Sequence, residues 1–269
     1  MYYFSALQFL CTSTSLISTL SFVVPSRIVR SKLVGNISTR NSIRMVESDP
    51  VVDLELPSPL ILGSGSFTRK LILKEMGINF HLLVMPIDEK AIGDRSSSKN
   101  VVELVSLLAK AKGDRVAETI ASDAKIRESL KGEEWVVLTA DQVVVQGDSI
   151  LEKPESIVEA KSMVQSYGSS APKTVGACVL THIPSMTQVS GYDSAQINFN
   201  ELLSESSDDL VDRLLSDNAP VLSCAGGLMV EHPFVRDYIS SIDGTEDSVM
   251  GLSKDLVLKL LKELKQKLN

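Results

Sequence analysis

The sequence predicts an α/β fold, with a mixed, twisted β-sheet flanked by helices and two lobes around a central cleft. Amphipathic helical segments alternate with short apolar runs along most of the chain, a pattern typical of helices packed against a sheet. Between residues 175 and 200, two segments of alternating polarity follow each other without an intervening helix, so an antiparallel pair is expected there. Together the two patterns predict a sheet with both parallel and antiparallel strands.

The individual elements follow from the same periodicities. The predicted strands are residues 59–62, 80–85, 135–140, 143–145, 175–182, 191–199 and 228–231. The predicted helices are residues 68–76, ending at Gly77, then 101–120, 155–167, a segment around 210–215 and a C-terminal helix capped by Ser253. The run 135–140 is almost entirely apolar, as in a central strand buried on both faces, and we expect it to end at Asp141.

The first 46 residues differ in composition from the rest of the chain. They contain no Asp or Glu, carry five basic residues among many Ser and Thr, and include an apolar stretch at residues 4–24. These features predict a cleaved targeting presequence, and residues 20–25 resemble the Phe-containing cleavage site of two-part presequences in algae with secondary plastids. The expected destination of the protein is a plastid, or otherwise the cytoplasm. If residues 1–46 are not a presequence, they are expected to be a membrane anchor or a disordered extension. Residues 47–57 are expected to be a disordered lead-in to one domain at 58–269.

The body of the protein is acidic. Residues 47–269 carry 22 Lys and Arg against 34 Asp and Glu, a net charge of −12. Proteins that bind nucleic acid polymers usually present a basic face to the phosphates, so this composition argues against that class. Cys11, Cys178 and Cys224 lack CxxC or CxxH spacing, which argues against a disulfide framework or a zinc cluster and favours a reducing compartment. Without the presequence, no association with a membrane is expected.

A turn rich in glycine and serine follows the first strand of this body. Residues 63–66 offer backbone N–H groups, the hydroxyl groups of Ser64 and Ser66, and the N-terminus of the next helix, a combination that suits a phosphate. Arg69 and Lys70 lie in the first turn of that helix, where cations oppose the helix dipole and therefore contribute little to stability. A plain strand–turn–helix corner with solvated cations is the alternative. Neither GxxxxGK[ST] nor GxGxxG occurs in the sequence.

Asp141 is the strongest candidate for an acid–base or metal-binding role. It follows the buried run 135–140, and ligand sites in open α/β sheets gather at the carboxyl ends of strands. An Asp that merely starts a turn is the alternative. Gln142 comes next and should point to the opposite face of the strand.

Other polar residues are weaker candidates when taken singly. Glu89 follows the second strand, Lys110 lies in the middle of a helix, and Lys153 lies one hairpin beyond Asp141. Glu231 ends a short apolar run that follows the small residues 224–227, which would let the backbone approach a ligand closely. Each of these residues also has an ordinary structural explanation.

Seven segments in order resemble the Maf family of nucleoside triphosphate pyrophosphatases, in its plant and algal form. They are LILGSGSFTRK at 60–70, IDE at 87–89, AKAK at 109–112, TADQVVV at 139–145, EKP at 152–154, CAGGLMVE at 224–231 and MGLSK at 250–254. The resemblance covers about residues 58–265. No single motif is specific, but the ordered set identifies the family.

The resemblance implies a reaction and a role for individual residues. Family members hydrolyse a nucleoside triphosphate, in some cases a modified one, between its α and β phosphates with Mg²⁺ or Mn²⁺, and they typically form homodimers. Asp141 is then the proton acceptor and, with Glu89, a metal ligand. The implied phosphate contacts are Ser64, Ser66, Arg69, Lys70, Lys110 and Lys153. Gln142 and Glu231 would read the base, in a pattern closer to members that act on 7-methyl-GTP than to those that act on dTTP and UTP.

Two departures from the family pattern leave other functions open. Phe67 and Thr68 stand where the family usually has Pro and then Arg or Trp, and residues 167–171 replace its Ser-Gly-Arg-x-His stretch. These departures motivate the alternative of a nucleotide-binding regulator of growth or cell division that does not hydrolyse its ligand. A nucleotidyl- or sugar-phosphate transferase is the second alternative, and it would need an acceptor pocket for which the sequence offers no further cluster.

Overall fold

The computed structural model describes residues 44–46, 56, 58–96 and 98–269. The predicted presequence up to residue 43, with its apolar stretch, and most of the predicted lead-in lie outside this part of the chain. Residues 44–46, the last three of the predicted presequence, form an edge strand of the main sheet. Within the described ranges, no helix is long and apolar enough to cross a membrane.

Eight strands of the described chain form one mixed sheet, so the predicted fold class is confirmed. They are β1 (Arg44–Val46), β2 (Leu60–Leu62), β3 (Phe80–Leu82), β4 (Trp135–Gln146), β5 (Ser149–Leu151), β6 (Lys173–Ile183), β7 (Gln188–Phe199) and β8 (Ile239–Asp243). Their order is β1-β3-β2-β4-β6-β7-β8, with β5 paired to the end of β4. β2 is parallel to β3 and β4, whereas the other pairs are antiparallel, including the predicted pair β6–β7.

Helices cover both faces of this sheet. They are α1 (Phe67–Glu75), α2 (Val101–Ser122), α3 (Ala124–Leu130), α4 (Ile157–Ser166), α5 (Leu202–Ser216), α6 (Pro233–Arg236), α7 (Glu246–Val249) and α8 (Lys254–Leu268). α1 and α8 share a core with Leu62 and Leu138, whereas α2 and α3 share a core with Ile61 and Val137. Successive side chains of a buried strand point to opposite faces, so each of the two central strands supplies both cores.

A further apolar cluster lies between α4 and α5. α4 and α5 pack against each other there around Val164 and Leu210, both fully buried. Tyr167, at the end of α4, stacks on Phe199 at the end of β7 with 5.8 Å between ring centroids. This cluster therefore contacts the sheet at the end of β7.

Two predicted helix ends are confirmed. Gly77 ends α1 with a φ of 71°, a left-handed conformation that glycine adopts without the steric cost of a Cβ. Ser253 caps α8, since its side chain accepts a hydrogen bond from the Leu256 N–H at 3.3 Å. Ser253 directly follows the loop that contains Gly251, which contacts the site described below.

The expectation that a strand ends at Asp141 is wrong. β4 runs without interruption from Trp135 to Gln146, and Asp141 is paired with Ala177 of β6 in the middle of that ladder. Eleven consecutive pairs with β6 hold the strand, and this pairing outweighs the low strand preference of Asp. The strand that ends nearby is β2, whose last residue, Leu62, is paired with Leu138.

The predicted strand at residues 228–231 is also wrong. This segment is a loop and a turn that follow a 3-10 turn at Ala225–Gly227. Gly226 and Gly227 have φ values of 72° and 68°, and two successive left-handed residues turn the chain away from an extended conformation. Glu231 therefore lies in a turn rather than at a strand end.

Candidate active site

The glycine and serine turn at residues 63–66 begins beside β4, in contact with its backbone. Gly63 donates its N–H to the carbonyl oxygen of Leu138 at 2.8 Å, continuing the ladder one residue beyond β2. A Cβ on Gly63 would lie 2.6 Å from the Thr139 methyl group, so any larger residue would push the turn off the strand. The approach of the two backbones explains why glycine is required at this position.

The two serine hydroxyl groups of the turn organise the start of α1. Ser66 caps the helix by accepting from the Arg69 N–H at 3.4 Å, and its hydroxyl group lies 2.9 Å from that of Thr68. Ser64 Oγ accepts from the Ser66 N–H at 3.3 Å and from Arg69 Nη1 at 3.1 Å. Lys70 follows in the same helical turn and is partly exposed. The turn therefore joins a helix N-terminus to an arginine, which is an anion-binding combination.

The Arg69 side chain lies beside β4 just beyond the end of β2, where no strand of the described chain pairs with β4 on that side. The carbonyl groups of Leu138 and Ala140 are two residues apart on β4 and point to the same side; the first accepts from Gly63 and the second from Arg69 Nη1 at 2.9 Å. Arg69 Nε donates to the Gly251 carbonyl oxygen at 2.9 Å. Burial lowers the pKa of this guanidinium below its usual value, while the charges of Asp141 and Glu89 act in the opposite direction. Arg69 therefore lies within electrostatic reach of both carboxylates.

Asp141 is paired with Lys112, a lysine that was not among the predicted site residues. Lys112 Nζ lies 2.5 Å from Asp141 Oδ1 and 2.9 Å from Glu89 Oε1, so the ammonium group bridges the two carboxylates. The side chains of Lys112 and Asp141 are only 17% and 12% exposed, whereas that of Glu89 is 52% exposed. The ion pair of Lys112 and Asp141 is therefore largely shielded from water, whereas Glu89 is exposed to solvent.

Close packing of α2 on the sheet brings Lys112 to Asp141. Thr139 Oγ1 donates to the Ala109 carbonyl oxygen at 2.7 Å, which fixes the position of the helix along β4. A Cβ on Gly113 would lie 3.0 Å from that same Thr139 oxygen and 3.4 Å from Thr181 Oγ1. The absence of a side chain at Gly113 therefore allows the helix to approach the strand next to the functional pair.

Lys110, which the family resemblance placed at the phosphates, lies on another side of α2. Its Nζ forms an ion pair with Asp114 at 2.6 Å, and its side chain is 53% exposed. Asp114 also accepts from Gln188 Nε2 at 2.7 Å, so this group belongs to the region of the β6–β7 hairpin. Lys110 and Lys112 are two residues apart on a helix and so point in different directions.

Lys153 and Arg95 extend the positive charge around Glu89. Partial burial alone would raise the pKa of Glu89, but the hydrogen bond from Lys112 and the charges of Lys112, Lys153 and Arg95 together hold it below its usual value. Arg95 donates to the Glu89 carbonyl oxygen at 2.7 Å and to Glu152 Oε1 at 2.8 Å. Arg95 thereby ties the turn of Glu89 to the residue that precedes Lys153.

Glu231 lies in the turn before α6, within electrostatic reach of Cys224. Burial raises the pKa of this carboxyl group, and the nearby charge of Glu246 adds to the shift. Burial likewise raises the pKa of Cys224 to about 11, with a further contribution from Glu231 and an opposing one from Lys153. Cys224 thus lies within electrostatic reach of both Glu231 and Lys153.

Gln142 points to the opposite face of β4 from Asp141, as the alternation of a strand requires. Its Nε2 donates to the carbonyl oxygens of Ser248 and Val249 at 2.8 and 3.2 Å, at the end of α7. Asp141 faces α2 instead, through Lys112. Ser64, Arg69, Glu89, Asp141 and Lys153 are thus brought together, whereas Lys110 turns away from them and Gln142 lies on the other face of β4 from Asp141, against the loop that ends at Gly251.

Two residues of this site were missed in the sequence, and one of them carried a signal. Lys112 follows the buried Leu108 and Ala109 by four and three residues, so helical periodicity places it on the face that packs against the sheet. Arg95 lies in an irregular segment, where no periodicity predicts the direction of a side chain. Its contacts with Glu89 and Glu152 depend on the tertiary structure alone.

The chain matches known proteins over nearly the whole described domain. The family model of the Maf-like proteins matches residues 59–264. A 7-methyl-GTP pyrophosphatase from Dictyostelium discoideum is 33% identical over 208 residues, which is 77% of this chain and 98% of that protein. dTTP/UTP pyrophosphatases from Bacillus cytotoxicus and Bacillus thuringiensis are 30% and 29% identical, over 77% of this chain and 94% of each relative. The family model covers most of the chain, and these similar proteins are all named pyrophosphatases. The chain therefore belongs to the Maf-like family of nucleoside triphosphate pyrophosphatases.

Proposed function

We propose that the chain hydrolyses a nucleoside triphosphate between its α and β phosphates, with Asp141 as the general base. The observation that supports this most directly is the largely buried Asp141 carboxylate, which lies beside Lys112 and within electrostatic reach of Arg69, the residue that bonds to Ser64 in the turn before α1. A carboxylate among cations at a helix N-terminus suits a reaction in which water attacks a polyphosphate.

The chemistry follows from the positions of these groups. A water molecule loses a proton to Asp141 as its oxygen bonds to the α phosphorus. The bond between this phosphorus and the bridging oxygen then breaks, and pyrophosphate leaves. Arg69, Lys153 and the turn at residues 63–66 would hold the phosphates and stabilise the negative charge that develops on them. Lys112 would orient the Asp141 carboxylate through its bond of 2.5 Å.

The donor set fits a divalent cation shared with the substrate. Glu89 and Asp141 direct one oxygen each at the Lys112 ammonium, so two hard oxygen donors converge on a position that already favours positive charge. Among the described residues, no group of three His, Cys, Asp or Glu side chains is arranged to hold a metal ion. Mg²⁺ is commonly held by one or two carboxylates together with substrate phosphates and water, which matches this arrangement. The ion would neutralise phosphate charge when bound.

Removal of divalent metal is expected to abolish pyrophosphate release. The negative charges of Asp141 and Glu89 repel a triphosphate, so the proposed site needs the divalent ion as well as its own cations. The measurement is pyrophosphate formation by the full chain after dialysis against a chelator, with Mg²⁺ or Mn²⁺ then added back. Full activity in the metal-free protein would contradict the proposed ligand role of Glu89 and Asp141.

We favour a 7-methylated guanine nucleotide as the substrate, with Glu231 reading the base. Guanine presents two adjacent donors, N1–H and the 2-amino group, and a carboxylate such as Glu231 accepts from both. The positive charge of a 7-methylated ring would also favour an acidic neighbour. Uracil and thymine offer one such donor, and an amide side chain would suit them better. The Dictyostelium relative carries the matching name, whereas the Bacillus relatives are named for dTTP and UTP.

A nucleotide panel tests both the reaction and the base. The full chain with Mg²⁺ should release pyrophosphate from 7-methyl-GTP more efficiently than from GTP, dTTP or UTP. Glu231→Gln should lower kcat/KM for 7-methyl-GTP by roughly 10- to 100-fold, because it removes one acceptor, while it changes dTTP and UTP little. Binding without pyrophosphate release from any nucleotide would support the regulator, and transfer to an added acceptor would support the transferase.

The assembly and destination of the protein stay predictions. The homodimer follows from the family resemblance, and the plastid from the composition of the first 46 residues. Sedimentation of the purified chain and a fluorescent fusion of those residues would test the two.

A further inference from the structure

We propose that the ion pair of Arg95 and Glu152 sets the distance between two parts of the proposed site. One part is Glu89, which would bind the divalent ion, and the other is Lys153, which would bind a phosphate. Arg95 and Glu152 are thus positioning residues, because they act through these neighbours. The inference rests on the proposed function only for the roles of Glu89 and Lys153.

Arg95 holds the backbone of the Glu89 turn directly. Glu89 begins a 3-10 turn in the connection between β3 and α2. Arg95 Nη2 donates to the Glu89 carbonyl oxygen at 2.7 Å, and Arg95 Nη1 donates to that of Ile92 at 2.7 Å. Since the guanidinium is planar and its donors have fixed directions, two bonds to one short turn set the position of that turn relative to the Arg95 side chain.

The third bond of Arg95 leaves this connection and ends on Glu152. Arg95 Nε lies 2.8 Å from Glu152 Oε1, and the two side chains are 26% and 56% exposed. Lys153 is the next residue along the chain. One guanidinium therefore joins the turn of Glu89 to the segment of Lys153.

The backbone of Glu152 is held in place independently of Arg95. Glu152 directly follows β5, which is paired with the end of β4. The Glu152 carbonyl oxygen accepts from the Gly226 N–H at 3.0 Å, and the Gly226 carbonyl oxygen accepts from the buried Tyr167 hydroxyl group at 2.7 Å. Glu152 is therefore a fixed point, to which Arg95 attaches a less regular part of the chain.

Two other attachments of the connection act elsewhere. Lys112 bonds to the Glu89 carboxylate at 2.9 Å, and so holds the side chain rather than the backbone of the turn. Ser98 donates its N–H to the Asp148 carbonyl oxygen and its hydroxyl group to that of Gly147, both at 3.2 Å, at the far end of the connection. Loss of the bonds of Arg95 should therefore displace the Glu89 turn locally, while α2 and the β4–β5 turn stay in place.

The distance between the two parts matters because metal and phosphate are bound together. Mg²⁺ is usually shared between carboxylates and substrate phosphates. An ion held by Glu89 and a phosphate held by Lys153 reinforce each other only when the spacing of these two residues matches the ligand. The affinity for a triphosphate with its metal should therefore depend on the Arg95–Glu152 pair more than the affinity for the triphosphate alone.

Titration calorimetry of the full chain with inorganic tripolyphosphate, with and without saturating Mg²⁺, measures this dependence. Mg²⁺ should strengthen binding by the wild type, and Arg95→Lys should reduce that gain about tenfold while it changes binding without Mg²⁺ little. Lysine keeps the charge but cannot bond to the three acceptors of a planar guanidinium. A full gain in Arg95→Lys would show that charge alone suffices and would overturn the proposal, as would a wild type that gains nothing from Mg²⁺.

Lys161→Met is the matched control. Lys161 joins α4 to α5 through Asp212 at 2.9 Å, and the side chains of this pair are 23% and 60% exposed, close to the values for Arg95 and Glu152. The control should keep the full gain from Mg²⁺. A loss as large as that in Arg95→Lys would overturn the proposal, because any ion pair at this exposure would then have the same effect.

A double-mutant cycle shows whether the effect passes through the pair. Glu152→Met leaves Arg95 intact but removes its fixed point, so it should also reduce the gain from Mg²⁺. In the double variant with Arg95→Lys, the loss should not exceed that of the stronger single variant. Additive losses would overturn the proposal. Exposed ion pairs contribute little to stability, so thermal melts of all variants should lie close to that of the wild type.

The binding test is independent of turnover, so the two proposals can fail separately. A wild type that binds tripolyphosphate with Mg²⁺ but releases no pyrophosphate from any nucleotide would refute the hydrolysis, while the cycle would still support the role of the pair. An Arg95→Lys variant with the full gain, in a chain that hydrolyses nucleotides, would overturn the role of the pair and leave the hydrolysis intact.

Discussion

Replacement of Asp141 by Asn should lower kcat for pyrophosphate release by about 10²- to 10⁴-fold, the usual contribution of a general base. The amide keeps the shape of the side chain but cannot accept a proton from water. Lys112 would keep its second partner, Glu89, at 2.9 Å, so the site should stay assembled. The measurement is steady-state pyrophosphate release with saturating nucleotide and Mg²⁺.

Asp114→Asn provides the matched control. Asp114 is also a carboxylate bound to a lysine of α2, since Lys110 lies 2.6 Å from its Oδ2, but it lies in the region of the β6–β7 hairpin. We expect its kcat to be close to that of the wild type. Asp141→Asn with unimpaired kcat would remove Asp141 as the base.

Lys112→Met is the second replacement for which we expect a large loss, on the order of 10²- to 10³-fold in kcat/KM. It removes the cation that lies between Asp141 and Glu89 and leaves two neighbouring carboxylates with less compensation. The pKa of Glu89 should rise, because the bond from Lys112 is the strongest of the interactions that lower it. Activity should therefore fall further at acidic pH in the variant than in the wild type, as Glu89 becomes protonated.

Lys110→Met decides between two lysines of the same helix. The family resemblance assigned a phosphate contact to Lys110, whereas it is Lys112 that lies beside Asp141 and Glu89. Lys110 forms an exposed pair with Asp114, and such pairs contribute less than about 1 kcal/mol to stability. We expect Lys110→Met to keep the activity of the wild type. A large loss in this variant together with a mild effect of Lys112→Met would restore the original assignment.

Sequence periodicity was sufficient to predict the fold class, but it did not lead to the lysine of α2 that contacts Asp141. Both lysines lie in one AKAK motif, and the resemblance was transferred to the first of them. The buried Leu108 and Ala109 already indicated which of the two faces the sheet. The exact contact with Asp141 depends in addition on how closely α2 approaches β4, which Gly113 and Thr139 set.

The position of Asp141 within β4 shows the limit of predicting strand ends from the local preferences of residues. An Asp after an apolar run suggests a turn, because Asp is rare inside strands. Strand β6 pairs with β4 on both sides of Asp141, and this long-range ladder holds the residue in an extended conformation. The functional edge of the sheet is instead the end of β2 at Leu62, where Arg69 replaces the missing neighbour.

By itself, the sequence determined the α/β class, most helices and strands, the family, and the turn and carboxylate at the centre of the site. These features depend on short-range periodicity and on motifs within a few residues. Only the tertiary structure decided that Lys112 pairs with Asp141, that Arg69 bonds to Ala140, and that Arg95 joins Glu89 to Glu152. The physical reason is that such contacts depend on strand register and helix packing, which residues far apart in the chain fix together.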